Sequence, residues 1–159
     1  MSGTILESKD GARKILVSIN PATLEENGRI ELMNAGDIKR AVERARGAFK
    51  VWPQIPLQER AACLLKARDY IMTNADAICE VISKETGKPR VESLSAEVML
   101  AADLITYYSK RAPEILREKE IPMHMLKFVK ESRIVHEPLG VVAIVTPWNY
   151  PFGIPMSGG

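Results

Sequence analysis

The sequence predicts an α/β fold, helix-rich, with a strand pair and one central strand, and three observations carry that prediction. Ile15, Val17 and Ile19 alternate with polar residues, as in a half-buried strand. From Asp37 to Ile115, apolar residues recur three and four apart, the spacing of one helical face. Val141, Val142, Ala143, Ile144 and Val145 form an unbroken aliphatic run, the pattern of a parallel strand covered on both sides.

Each element follows in order. The first strand is expected to turn at Asn20-Pro21, with Glu26-Asn27-Gly28 as a second turn before the apolar residues 30–33, giving a hairpin. Ile38, Val42, Ala45 and Phe49 share one helical face, and Trp52-Pro53 ends that helix. A second helical stretch opens near Leu57, with Ala61, Leu64, Leu65, Ile71 and Met72 inward and a break at Thr73-Asn74 before 78–82. Gly87-Lys88-Pro89 stops it, because Gly suits a left-handed C-terminal residue and Pro lacks the N–H to continue.

The third helix starts near Val91. Val91, Leu94, Val98, Ala101, Ile105, Tyr108, Ala112 and Ile115 form its apolar stripe, and Pro113 should kink or end it near Ala112. The flanking charges are not patterned for coiled-coil pairing, so the stripe is read as part of a globular core. Residues 127–137, with Phe128, Lys130, Ser132, Ile134 and His136, read as an exposed or edge strand pair. Pro138-Leu139-Gly140 then leads into the aliphatic run, the expected central strand.

Composition narrows the function. The 159 residues are 46% apolar, and 22 Lys and Arg nearly balance 20 Asp and Glu, for a net charge of +2. Such a chain has enough apolar content to fold, and it has no field to draw in nucleic acid or anionic lipid. The N-terminus lacks the apolar core of a signal peptide and the run 141–145 is far too short to span a bilayer, so a cytoplasmic protein without a membrane partner is expected. Two cysteines, Cys63 and Cys79, fit a reducing compartment.

In open α/β sheets ligands sit beyond the carboxyl ends of the strands, which directs attention to residues 146–151. Pro147 and Pro151 stiffen this segment, Trp148 offers a flat apolar wall, and the Asn149 amide can donate to a developing negative oxygen. The same residues also suit a Pro-rich turn with a buried Trp and an Asn that satisfies its own loop. Cys63 and Cys79 fall in predicted helices among apolar neighbours, a setting for packed rather than reactive thiols. With His124, read as a surface-loop residue, and His136, read as a strand residue, they lack the close spacing of a zinc site, so no metal is expected. Gly158-Gly159 is no phosphate-loop fingerprint.

Glu137-Pro138-Leu139-Gly140-Val141-Val142 followed by Pro147-Trp148-Asn149-Tyr150-Pro151 resembles the N-terminal part of the NAD(P)-dependent aldehyde dehydrogenase superfamily. Asn20-Pro21-Ala22-Thr23, the Ala-rich stretch 41–49 with Trp52, Glu59-Arg60, and Glu85-Thr86-Gly87-Lys88-Pro89 agree in order and spacing, so the resemblance covers about residues 15–159. It implies a Rossmann-type cofactor-binding domain, of which 1–159 is a truncated N-terminal part. It also implies an enzyme that oxidises an aldehyde to a carboxylic acid with NAD or NADP through a cysteine thiohemiacetal. The resemblance gives Asn149 to the oxyanion hole, Thr146, Pro147 and Trp148 to the nicotinamide border, and Tyr150 to the aldehyde tunnel. Full-length members are homo-oligomers, and 127–137 reads equally as an oligomer contact or as plain exposed sheet.

In such enzymes the thiolate, the base glutamate and the glycine-rich phosphate loop come later than this segment, and roughly the first third of a member is present. The chain is therefore expected to be a fragment, inactive alone, with several apolar faces poorly covered. Two other readings stay open: a non-catalytic binding or assembly module derived from the family, and a coenzyme A-acylating relative.

Overall fold

A computed structural model of the chain describes residues 2–7, 13–123 and 130–158. Strands β1 (Ser2–Glu7), β2 (Lys14–Ile19) and β3 (Glu26–Glu31) form an antiparallel sheet in that order. The expected hairpin is β2–β3; β1 extends it on the other side of β2. The expected turn at 26–28 is instead the start of β3, where Gly28 pairs with Ser18 beside a register shift. The reversal is made just before it: Asn20 Oδ1 accepts the Ala22 N–H at 2.9 Å, and Leu24 takes a positive φ of 64°. Within β2 and β3, Val17 is the buried residue.

Helix α1 (Ala35–Phe49) begins slightly before the apolar pattern does, because Asn34 and Asp37 cap it reciprocally. Its sequence stripe is only partly covered: no residue of α1 is buried, Val42 and Phe49 are half-buried, and Ile38 is exposed. A 3₁₀ turn at Trp52–Gln54, with Pro53 in it, leads to α2 (Leu57–Thr73) and α3 (Ala75–Thr86). Asn74 makes the expected break, closing α2 on the Tyr70 carbonyl. Of the residues expected inward on α2, Ile71 is buried and Ala61 and Leu65 are half-buried, whereas Leu64 and Met72 are exposed. Gly87 ends α3 at φ 77°, in the left-handed region a glycine tolerates. Ser18 Oγ donates to Glu85 Oε1 at 3.0 Å and Asn27 Nδ2 to the Lys84 carbonyl at 3.1 Å, which docks the sheet on the end of α3.

The third helix is continuous but not uniform. A short α4 (Arg90–Glu92) passes into a π-helical segment, Ser93–Met99, and then into α5 (Leu100–Ile115). The wider turn moves the buried stripe. Val98, Ala101 and Ile105 are buried as the spacing predicts, but at the flanks Ser93, Glu97 and Ser109 are buried while Val91, Leu94 and Tyr108 are exposed. α5 also runs through Pro113 to Ile115, a little beyond the expected stop. The ring removes one N–H, and Leu116 N–H closes the last turn on the Ala112 carbonyl at 2.9 Å.

The core brings these helices together. Ile71, Cys79, Ile82, Val98 and Ile105 are its buried members, with Ala75, Ile78, Phe152 and Met156 packed against them. Among the described residues, no helix is long and apolar enough to cross a membrane.

Two expectations for the C-terminal third need correction. β5 (Arg133–Ile134) pairs with β4 (Lys119–Glu120), an upstream segment, rather than within 127–137, and His136 lies past the strand and is exposed. His124, Lys127, Phe128 and Gly159 lie outside the described residues. The aliphatic run 141–145 forms no strand: Val142 and Ile144 are exposed, and Val145 is 96% exposed. A strand needs a neighbour to complete its ladder, and among the described residues no other strand pairs with this one. Several apolar faces are thus open, including a groove of about 530 Å³ lined by Phe49, Trp52, Ile55, Val141 and Val142. A last helix, α6 (Gly153–Gly158), follows.

Candidate functional site

The segment 146–151 is an irregular loop between the exposed run and α6, and two side chains from the helical layer grip it. Lys88 stands between Gly87 and Pro89, at a corner whose backbone is fixed on both sides. Its ammonium donates to the Asn149 carbonyl at 2.8 Å and to Glu97 Oε1 at 2.5 Å, and lies 4.2 Å from the centroid of the Tyr150 ring. The other oxygen of Glu97, Oε2, accepts the backbone N–H groups of Phe152 at 2.8 Å and Gly153 at 3.2 Å. These donors open α6 and have no intrahelical partners.

Burial makes this arrangement unusual. Glu97 is fully buried and the Lys88 side chain is only 10% exposed. A carboxylate out of water needs donors on both oxygens, and Glu97 has them. Phe152 adds an apolar anchor by packing on the core.

The five residues singled out in this loop are consecutive in the chain and differ in exposure. Thr146 and Tyr150 are half-buried, Pro147 and Asn149 are exposed, and Trp148 is 62% exposed rather than buried in its own turn. Asn149 is engaged through its backbone carbonyl, and among the described residues its side-chain amide makes no hydrogen bond. The loop thus presents a fixed backbone, a free amide donor and an open aromatic face.

Lys88 and Glu97 were not legible as site residues. Lys88 is visible in the sequence within a helix-stop signal and within the 85–89 stretch of the resemblance, neither of which assigns it a role, and Glu97 sits one place off the apolar stripe. The available hint was a lone acid in the small-residue stretch Ser93-Leu94-Ser95-Ala96-Glu97-Val98, where a solvent-facing position is the ordinary reading.

The two thiols differ from expectation in one respect. Cys79 is buried in the core, and burial pushes its thiol up from the ordinary value. Cys63 is exposed on α2, because the side of α2 that carries it faces solvent rather than the core. Among the described residues, no group of three or more His, Cys, Asp or Glu gathers to hold a metal ion.

Comparisons with known proteins bear on this arrangement. The profile of the aldehyde dehydrogenase family matches residues 6–158. The chain is 33% identical over 143 residues to a 4,4'-diapolycopene aldehyde oxidase of Methylomonas sp, covering 89% of this chain and 27% of that protein. It is 34% identical over 134 residues to a succinate-semialdehyde dehydrogenase (NADP(+)) of Deinococcus radiodurans, covering 84% of this chain and 27% of that protein. Its fold superposes with a TM-score of 0.80 and 28% identity on the succinic semialdehyde dehydrogenase of Streptococcus pyogenes in complex with NADP+, covering 88% of this chain and 30% of that one. The chain therefore spans 27% of the length of both curated relatives.

Proposed function

The chain belongs to the aldehyde dehydrogenase family, and from that premise we propose that its loop 146–150 supplies the oxyanion donor and the cofactor-facing wall for oxidation of an aldehyde to a carboxylic acid with NAD or NADP. One observation carries the reading: Asn149 has its carbonyl tied to Lys88 while its side-chain amide makes no hydrogen bond among the described residues. A donor that is held in place but not already bonded can meet charge as it develops on a carbonyl oxygen. Such a contact is worth about 2.7–4 kcal/mol to a transition state in a water-excluded site.

The residues beside it fit a nicotinamide ring. Trp148 presents an open aromatic face, Pro147 and Pro151 limit its loop, and half-buried Thr146 adds a small polar group. When bound, the nicotinamide supplies the hydride acceptor. Thr146, Pro147 and Trp148 would border it, and Tyr150 would contribute an aromatic wall to the aldehyde path. The chemistry also needs a thiolate. Cys79 is sealed in the core, and among the described residues Cys63 has no base hydrogen-bonded to it. These 159 residues by themselves are therefore not expected to turn over an aldehyde. The contact between copies at 127–137 belongs to the same proposal, with Ile134 and Val135 exposed there.

A chimaera tests the assignment: residues 6–158 replace the matching segment of the Deinococcus enzyme, and reduced nicotinamide is followed with succinate semialdehyde. Asn149→Ala is expected to lower kcat by about 10²–10³-fold. An active chimaera indifferent to that change ends the assignment of Asn149, and turnover by the 159-residue chain alone ends the account of the missing thiolate.

The open segment 141–145 favours a second reading, a non-catalytic module that associates with a full-length relative. Co-purification with such a relative, without any effect on its turnover, would select it.

A further inference from the structure

We propose that Lys88 and Glu97 are positioning residues, a buried charged clasp that fixes the loop 149–153 and so aims the Asn149 amide; the role rests on the reading of Asn149 as the oxyanion donor. Among the described residues, every side-chain hydrogen bond that Lys88 and Glu97 make goes to the other of the two or to the loop. The ammonium of Lys88 has three N–H bonds: two meet Glu97 Oε1 and the Asn149 carbonyl, and the cation faces the Tyr150 ring. Glu97 divides its oxygens between Lys88 and the N–H groups of Phe152 and Gly153. Residues 149, 150, 152 and 153 are thus all held by two side chains that arrive from far upstream in the chain.

Both supports are rigid. Lys88 is set by the left-handed Gly87 and by Pro89, and its own N–H donates to Thr86 Oγ1 at 3.3 Å. Glu97 stands in the π-helical segment, which turns it inward beside Val98. A neutral apolar pair would fill the same space and bury as well, but it could not hold a carbonyl and two N–H groups at once. The charges are placed where the loop's backbone, rather than the core, needs partners. A site must be held within about 0.5 Å of its working geometry, and a loop does not achieve that without such a second layer of contacts.

The test uses the 159-residue chain and does not depend on turnover. Lys88→Met, Glu97→Gln and the double variant are compared by amide exchange and backbone relaxation in NMR. Glu97→Gln keeps the size of the side chain but leaves Phe152 and Gly153 only a neutral, weaker acceptor and removes the ion pair with Lys88, so it covers the case in which Lys88→Met fails to fold. Each single change is expected to speed exchange at Phe152 and Gly153 about tenfold or more, while Ile82 and Ile105 keep their protection. The Asn149 backbone order parameter is expected to fall from about 0.85 toward 0.6. Because the two residues act as one unit, the double variant should be no worse than the worse single one. Unchanged protection at Phe152 and Gly153, a uniform rise that includes Ile82 and Ile105, or additive effects of the two changes would each overturn the clasp. A chimaera indifferent to Asn149→Ala would sink the oxyanion reading while leaving these exchange results standing, so the two failures are distinguishable.

Discussion

Gly153 lies against Glu97 at backbone contact: a Cβ placed on Gly153 would stand 3.1 Å from Glu97 Cα and 3.3 Å from the Ala96 carbonyl oxygen. The first residue of α6 and the π-helical segment approach this closely because one of them has no side chain. Gly153→Ala sets a methyl carbon against the backbone of Ala96 and Glu97, which must give by a few tenths of an ångström to admit it. The change is expected to destabilise the chain by about 1–3 kcal/mol, as overpacking does. The urea midpoint followed by circular dichroism measures it, and an unchanged midpoint would show that α6 can shift away freely.

The start of α1 gives a second prediction. Asn34 Oδ1 accepts the Asp37 N–H at 2.9 Å and Asp37 Oδ2 accepts the Asn34 N–H at 3.1 Å. Asn34→Ala is expected to cost about 1 kcal/mol, the usual worth of an N-cap. The Asn34 N–H, with Arg13 and Arg40 nearby, holds the Asp37 carboxyl below its ordinary value. A carboxyl lowered on folding adds stability at neutral pH and loses it as pH falls below about 4 toward the folded value. The gap in urea midpoint between the chain and Asp37→Asn should therefore shrink on acidification from neutral pH. A gap that stays constant or widens contradicts this.

The thiols give a third. Cys63 is open to reagent, whereas Cys79 is buried and its thiol is pushed up by burial. One thiol is expected to react promptly with a chromogenic disulfide in the native chain, and the second only at the rate at which the core opens. Cys63→Ser should abolish the fast phase alone. Two fast phases in the wild-type chain would show that the core around Cys79 is not closed.

Much of this fold was written in local pattern, and the exceptions have physical causes. Asn74 and Gly87 mark helix ends through backbone chemistry that needs no tertiary context, and the structure ends helices at both. The stripe Val98, Ala101, Ile105 is buried because helical spacing alone puts those residues on one side. Helical spacing cannot reveal the π-helical turn that exchanges Leu94 for Ser93 and brings in Glu97, since that turn breaks the very period being counted. Val141, Val142, Ala143, Ile144 and Val145 read as a strand because their composition is that of one, but ladder bonds come from a neighbour and not from composition. The loop 146–151 was visible through its two prolines and its Trp-Asn pair; the side chains that hold it were not, because they belong to a helix end and a helix interior far away in the chain.

The exposed aliphatic run supports the last prediction. Val142, Ile144 and Val145 face solvent, and Trp52 and Val141 border the adjoining open groove. Contiguous apolar surface beyond a few hundred Å² is uncommon on a monomer and drives association. Because the run has no strand neighbours among the described residues, its backbone donors and acceptors are also free to pair with another chain, as an uncovered edge does. The 159-residue chain is therefore expected to bind a hydrophobic dye in its folded state and to sediment as larger species with rising concentration. Val142→Lys with Val145→Lys should reduce both effects and leave the far-ultraviolet circular dichroism unchanged, since neither side chain touches the buried helical core. A wild-type chain that stays monomeric and dye-free over the same range would mean that this segment is covered in solution by contacts within the chain itself.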